Sequence, residues 1–130
     1  VKMKLNPLAA TLKGRRVVLV DDSIVRGTTS ARVVALLREA GAKEVHMRSS
    51  APKFLYPCYF GTDIDSQENL ICQNHTTEEV AKMIGVDSLG FLSPENVVKL
   101  AENTRTGFCD ACITGKNKYA RKIGERSEKE

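Results

Sequence analysis

The chain has 130 residues, 42% hydrophobic and 28% charged. That is one domain's worth of ordinary globular composition, with no apolar run near the ~20 residues of a membrane span. Its net charge is +4, but residues 116–130 carry six Lys/Arg against three Glu, which leaves the rest near +1; with only three Tyr and four Phe, all scattered, no stacking surface for bases is evident and nucleic acid is not an expected partner.

In chain order, Val17 to Val20 is a short valine-rich run, which predicts a strand buried on both faces of a parallel sheet. From Thr29 to Ala40, Val33, Val34, Leu36, Leu37 and Ala40 mark the apolar face of a helix, and Gly41 is a natural stop. Glu44 to Arg48 alternates as a second strand. Strand, helix, strand predicts an α/β fold with a parallel sheet. Ser50 to Asn74 has no clear period and is punctuated by Pro52, Pro57 and Gly61. Thr76-Thr77-Glu78-Glu79 predicts a capping box opening a helix through Ile84, ended by Gly85. Ser88 to Leu92 reads as a short strand. Ser93 as N-cap and Pro94 at the first helical position then open a helix to about Glu102. The polar, basic stretch 116–130 is expected to be a disordered tail, and 1–115 the folded part.

Two aspartates, Asp21 and Asp22, end the first strand. Successive strand side chains point to opposite faces, so the pair serves one ligand only if the chain turns there. Paired carboxylates accept hydrogen bonds from the cis-diol of a ribose and hold Mg²⁺ directly or through its waters. Ser23, Thr28 and Thr29 then supply hydroxyls, and Gly27 lets backbone approach a ligand. The helix N-terminus that follows favours phosphate. A ribose 5-phosphate matches both halves of the turn. Ile24 and Val25 are expected to pin the loop to the core, leaving only their N–H groups for a ligand, while Arg26 reads chiefly as solvated surface.

The run "VVLVDDS" also resembles the first strand of response-regulator receiver domains, whose acidic pair binds Mg²⁺. That reading needs a phospho-accepting Asp after a buried strand and a Lys after a later one. Asp63 follows a poor core strand and Lys99 sits in a helical pattern, so it is set aside.

The stretch "VVLVDDSIVRGTTS" resembles the phosphoribosyl pyrophosphate motif of type I phosphoribosyltransferases, in the wording of the amidophosphoribosyltransferases. Further likeness lies in "VKMKLNP", "LLREAGAKEVHMR", "YPCYFGTDI", "EEVAKMIGVDSLGFLSPENV" and "CDACITGK", similar to the carboxy-terminal third of the iron–sulfur form. The resemblance implies part of a type I phosphoribosyltransferase fold with a helical, cysteine-bearing end. It assigns Asp21 and Asp22 to the ribose hydroxyls and Mg²⁺, and Ser23, Ile24, Val25, Arg26, Gly27, Thr28 and Thr29 to the 5-phosphate loop. The reaction it implies displaces pyrophosphate from phosphoribosyl pyrophosphate by ammonia from glutamine, giving 5-phosphoribosylamine at the first committed step of purine synthesis. It further implies purine nucleotides as feedback inhibitors and a homo-oligomeric full-length enzyme. The glutaminase part, its nucleophile, the pyrophosphate-binding segment and the closing loop find no match here, so no catalytic residue is assigned and the isolated chain is expected to be inactive. A phosphoribosyltransferase acting on a nucleobase, or a non-catalytic phosphoribosyl pyrophosphate-binding module of the same fold, are the alternatives.

The cysteines are Cys58, Cys72, Cys109 and Cys112. Spacing alone pairs Cys109-x-x-Cys112 with Cys72-x-x-His75 as a zinc set. The resemblance instead implies that Cys58, Cys109 and Cys112 ligate a [4Fe-4S] cluster, the fourth ligand lying elsewhere in the enzyme. Cys72 then reads as a small buried hydrophobe, His46 as a half-exposed strand residue and His75 as part of a turn. With cysteines that suit a reducing compartment and no secretory leader, a cytoplasmic location is expected.

Overall fold

A computed structural model describes residues 9–58, 60, 64, 66–100, 102, 103, 105 and 107–116. The "VKMKLNP" stretch, Asp63 and all of the basic tail beyond Lys116 lie outside the described residues. Elements follow in the order α1 (Ala9–Leu12), β1 (Arg16–Asp21), α2 (Thr28–Glu39), β2 (Glu44–Ser49), α3 (Ile71–Asn74), α4 (Thr77–Ile84), β3 (Ser88–Phe91), α5 (Pro94–Leu100) and α6 (Ala111–Thr114), with a 3-10 turn at Gln67–Asn69. The strands form one parallel sheet in the order β1-β2-β3. Val17 pairs with Val45 and Asp21 with Ser49, while His46 pairs with Ser88. The three strands therefore end at the same edge, and the loops after them converge there.

One face of the sheet carries the core. Val45 and Met47 of β2 are fully buried under Val34 of α2 and Val80 and Ile84 of α4, with Ile24, Ile71 and Cys72 in the same cluster. Burying each of these larger side chains stabilises the fold by roughly 1.5–3 kcal/mol. Helices α4 and α5 begin as their sequences dictate. Thr76 accepts from the Glu79 N–H (3.2 Å), the Glu79 carboxylate accepts from the Thr76 N–H (2.8 Å), and Gly85 closes α4 at φ 88°. Ser93 caps α5 through the Asn96 N–H (3.3 Å); the described part of the helix runs to Leu100, and Glu102, its expected end, lies in a turn.

The other face departs from expectation. Val18 is 61% and Val20 68% exposed, so β1 is not buried on both faces. β1 is an edge strand, and no described residue covers that side of it. Further along this face the strands are joined by polar contacts. His46 bonds Ser88 Oγ through Nδ1 (2.9 Å) and Glu44 through Nε2 (3.1 Å), and Arg48 donates to Ser88 Oγ (3.1 Å). At the opposite end from the convergent loops, Asp87 accepts from the Val45 N–H and from Arg38, both at 2.7 Å. These bonds hold the Asp87 carboxyl below its ordinary range, the backbone N–H being the larger cause.

Candidate functional site

β1 delivers Asp21 and Asp22 to the convergent edge, and the chain turns immediately after them. The Asp21 carboxylate accepts from the Asp22 N–H (3.0 Å), and the Asp22 carboxylate accepts from Ser23 Oγ (3.1 Å). Ile24 is 2% exposed and anchors the loop in the core, as its sequence position implies. The Val25 carbonyl accepts from the Ile71 N–H (3.0 Å), so α3 clamps the loop from below. Gly27 precedes α2 at φ 75°, and an added Cβ there would lie 2.8 Å from Ile71 Cδ1. Glycine suits the left-handed turn, and any larger residue would also have to displace the end of the Ile71 side chain.

No side chain caps α2. Its first-turn N–H groups are left for a ligand, at the positive end of the helix. Asp21, Asp22, Ser23, Val25, Arg26, Gly27, Thr28, Thr29 and Ser30 line one open cavity of about 500 Å³. Every residue assigned to the ligand from the sequence lines it except Ile24, whose side chain is in the core. Ser30 is an addition. It is 3% exposed, and it escaped notice because it lies inside the helical pattern. The cavity has acceptors at its carboxylate end and donors at its helix end.

Two further residues were not legible as site residues. Ser50 follows β2, and its N–H donates to the Asp21 carbonyl (2.9 Å). Its hydroxyl lies 3.2 Å from the Asp21 carbonyl and 3.3 Å from that of Asp22. Ser49 is buried, donates to the Ala51 carbonyl (2.9 Å) and accepts from the Ala51 N–H (3.2 Å). The aspartate pair depends on the neighbouring strand, which no local motif announces.

Of the cysteines, Cys72 is buried as expected. It is 5% exposed within the core, and burial pushes its thiol up, with Lys53 opposing in part. His75 lies in the turn before α4, 4.0 Å from Glu79. Cys58 and Cys112 are brought together from distant sequence. The Leu55 and Tyr56 N–H groups both donate to the Cys112 carbonyl (2.9 and 3.0 Å). The Cys112 thiol is pushed up first by burial and then by its neighbour Cys58, with a smaller contribution from Cys109. Three thiols thus share one corner of the fold. Among the described residues no three His, Cys, Asp or Glu side chains converge closely enough to hold a metal ion, so neither this trio nor the Cys72–His75 zinc set is a closed site.

The comparisons with known proteins agree with this geometry. No family model matches the chain. The amidophosphoribosyltransferase of Methanocaldococcus jannaschii is 55% identical over 116 residues, 89% of this chain and 24% of that protein. That of Archaeoglobus fulgidus is 50% identical over 118 residues, 89% of this chain and 26% of that protein. The chain is homologous to the amidophosphoribosyltransferases. It spans about a quarter of the length of these relatives. A chloroplastic amidophosphoribosyltransferase of Arabidopsis thaliana is 53% identical over 88% of the chain and 20% of its own length. Among solved structures, the glutamine phosphoribosylpyrophosphate amidotransferase of B. subtilis, complexed with ADP and GMP, superposes at a TM-score of 0.77 with 43% identity, over 90% of this chain and 28% of that one. The three-stranded parallel sheet and its helices are accordingly a portion of a type I phosphoribosyltransferase fold, as its homology to the amidophosphoribosyltransferases requires.

Proposed function

We propose that the turn between β1 and α2 binds the ribose 5-phosphate moiety of phosphoribosyl pyrophosphate within an amidophosphoribosyltransferase. The observation that carries this reading is a single cavity with two carboxylates at one end and an uncapped helix N-terminus at the other. Asp21 and Asp22 accept the sugar hydroxyls. The N–H groups from Gly27 to Thr29, with the Thr28 and Thr29 hydroxyls, receive the phosphate. In the full enzyme the C1–pyrophosphate bond breaks, pyrophosphate leaves, and ammonia from glutamine forms the new C1–N bond of 5-phosphoribosylamine. Positive charge develops on the sugar in the transition state, so fixing the ring beside two carboxylates serves both positioning and charge stabilisation. Asp21 and Asp22 would also hold Mg²⁺, which supplies charge for the departing pyrophosphate.

Cys58, Cys109 and Cys112 are proposed as three ligands of an iron–sulfur cluster, on the chemistry of three neighbouring thiols. Purine nucleotides are proposed as regulators, and a homo-oligomer as the full-length state. A reducing compartment such as the cytoplasm is proposed as the location, since none of the four cysteines is in a disulfide.

Titration calorimetry of ribose 5-phosphate with Mg²⁺ tests the reading. Hydrogen bonds to charged groups are worth about 1.5–3 kcal/mol. Asp21→Asn with Asp22→Asn should therefore weaken ribose 5-phosphate binding by tenfold or more, and Thr28→Val should weaken phosphate affinity. Equal binding by all variants would overturn the assignment.

A further inference from the structure

We infer that Ser50 is a positioning residue for the aspartate pair, a role that rests on the reading of the turn as a ribose 5-phosphate site. Asp21 and Asp22 are consecutive, and in a continued strand their side chains would point to opposite faces. They serve one ligand only because the chain changes direction where the ladder ends, at the Asp21–Ser49 pair. That direction is set by the peptide planes of Asp21 and Asp22: the Asp21 carbonyl accepts the last bond of the ladder, from the Ser50 N–H, and the Asp22 carbonyl lies beyond it.

The Ser50 side chain adds a second hold on the Asp21 carbonyl and the shorter of two hydroxyl contacts on that of Asp22. The Ser50 N–H takes the Asp21 carbonyl at 2.9 Å, and its single hydroxyl proton is shared between the Asp21 carbonyl at 3.2 Å and the Asp22 carbonyl at 3.3 Å. One side chain thereby ties both peptide planes to the end of β2. Ser49 fixes Ser50 in turn. Its buried hydroxyl closes a small ring with Ala51, donating to the carbonyl and accepting from the N–H, and lies 3.5 Å from the Asp22 carbonyl, a longer contact than that of Ser50. The hydroxyl of Ser50 touches no atom assigned to the ligand, so its effect passes entirely through the two aspartates. The phosphate end of the cavity, Gly27 to Thr29, is held independently by Ile24, by Ile71 and by the start of α2. The two ends of the site should therefore respond separately.

The experiment uses the full 130-residue chain with two probes, ribose 5-phosphate plus Mg²⁺ and inorganic phosphate. A net contribution of 0.5–1.5 kcal/mol for a neutral hydrogen bond corresponds to roughly threefold to tenfold in affinity. Ser50→Ala should weaken ribose 5-phosphate binding by that factor and leave inorganic phosphate binding unchanged. Ser50→Thr, which keeps the hydroxyl, should restore it. Ser50 is exposed, so thermal melting should confirm that both variants fold as the parent does. A general loss of structure would move both probes together and would contradict the proposal. So would equal ribose 5-phosphate affinity in Ser50→Ala and the parent, or a Thr variant as weak as the Ala variant. If the parent itself shows no preference for ribose 5-phosphate over phosphate, the site reading fails first and Ser50 loses its role with it.

Discussion

Replacing Gly27 by alanine isolates the requirement on which the phosphate end of the site rests. The residue has φ 75°, and holding a non-glycine residue there costs roughly 1–2 kcal/mol. The new Cβ would also stand 2.8 Å from Ile71 Cδ1. That atom is the end of a side chain, so it escapes by rotation, but Ile71 is only 8% exposed and an off-rotamer side chain costs about 0.5–1.5 kcal/mol. Together these give a loss of about 1.5–3.5 kcal/mol, read as a lower urea midpoint at unchanged m-value. The double variant Gly27→Ala with Ile71→Val separates the two causes. Removing Cδ1 relieves the contact, so the double loss should fall short of the summed single losses by about 0.5–1.5 kcal/mol. The backbone strain should remain. A Gly27→Ala loss below about 0.5 kcal/mol would refute the argument that this turn tolerates glycine alone.

Asp87 carries a pH signature. Its carboxyl is held below the ordinary value by the Val45 N–H and Arg38, so its stabilising contribution is complete above the ordinary carboxylate pKa and is lost as pH falls through the lowered one. Asp87→Asn should therefore lower the melting temperature at neutral pH and flatten its fall with acid; a parallel acid profile in both proteins would count against this. Anaerobic reconstitution with iron and sulfide should give a brown, air-sensitive species. Cys58→Ser and Cys109→Ser should abolish it and Cys72→Ser should not, whereas a colourless metal released by Cys72→Ser would favour the zinc set.

Much of this architecture was legible because it is encoded locally. The Val17–Val20 run, the α2 periodicity, the Thr76–Glu79 capping box and the Ser93–Pro94 start each need only a few adjacent residues, and each element appears within a residue or two of its expected bounds at its opening. What escaped notice is either too short or non-local. α3 and α6 span four residues each, about one turn, which is too little to display a 3.6-residue period. The two-sided burial expected of β1 failed because a valine run reports apolarity and not which neighbours are present. The acidic pair and the glycine–threonine turn were readable as chemistry. The clamp of Ile71 on Val25, and of Ser50 on both aspartates, depends on which strand and helix lie alongside, and no spacing within the motif specifies that.

Backbone amide mapping by NMR during titration with ribose 5-phosphate and Mg²⁺ tests the central claim most directly. Shift changes should concentrate on residues 21–30, with smaller ones at Ser49 and Ser50, and should vanish at Asp21 and Asp22 when both are replaced by asparagine. Changes centred instead on another part of the chain, or on none of these residues at millimolar ligand, would contradict the assignment of the β1–α2 turn as the ribose 5-phosphate site.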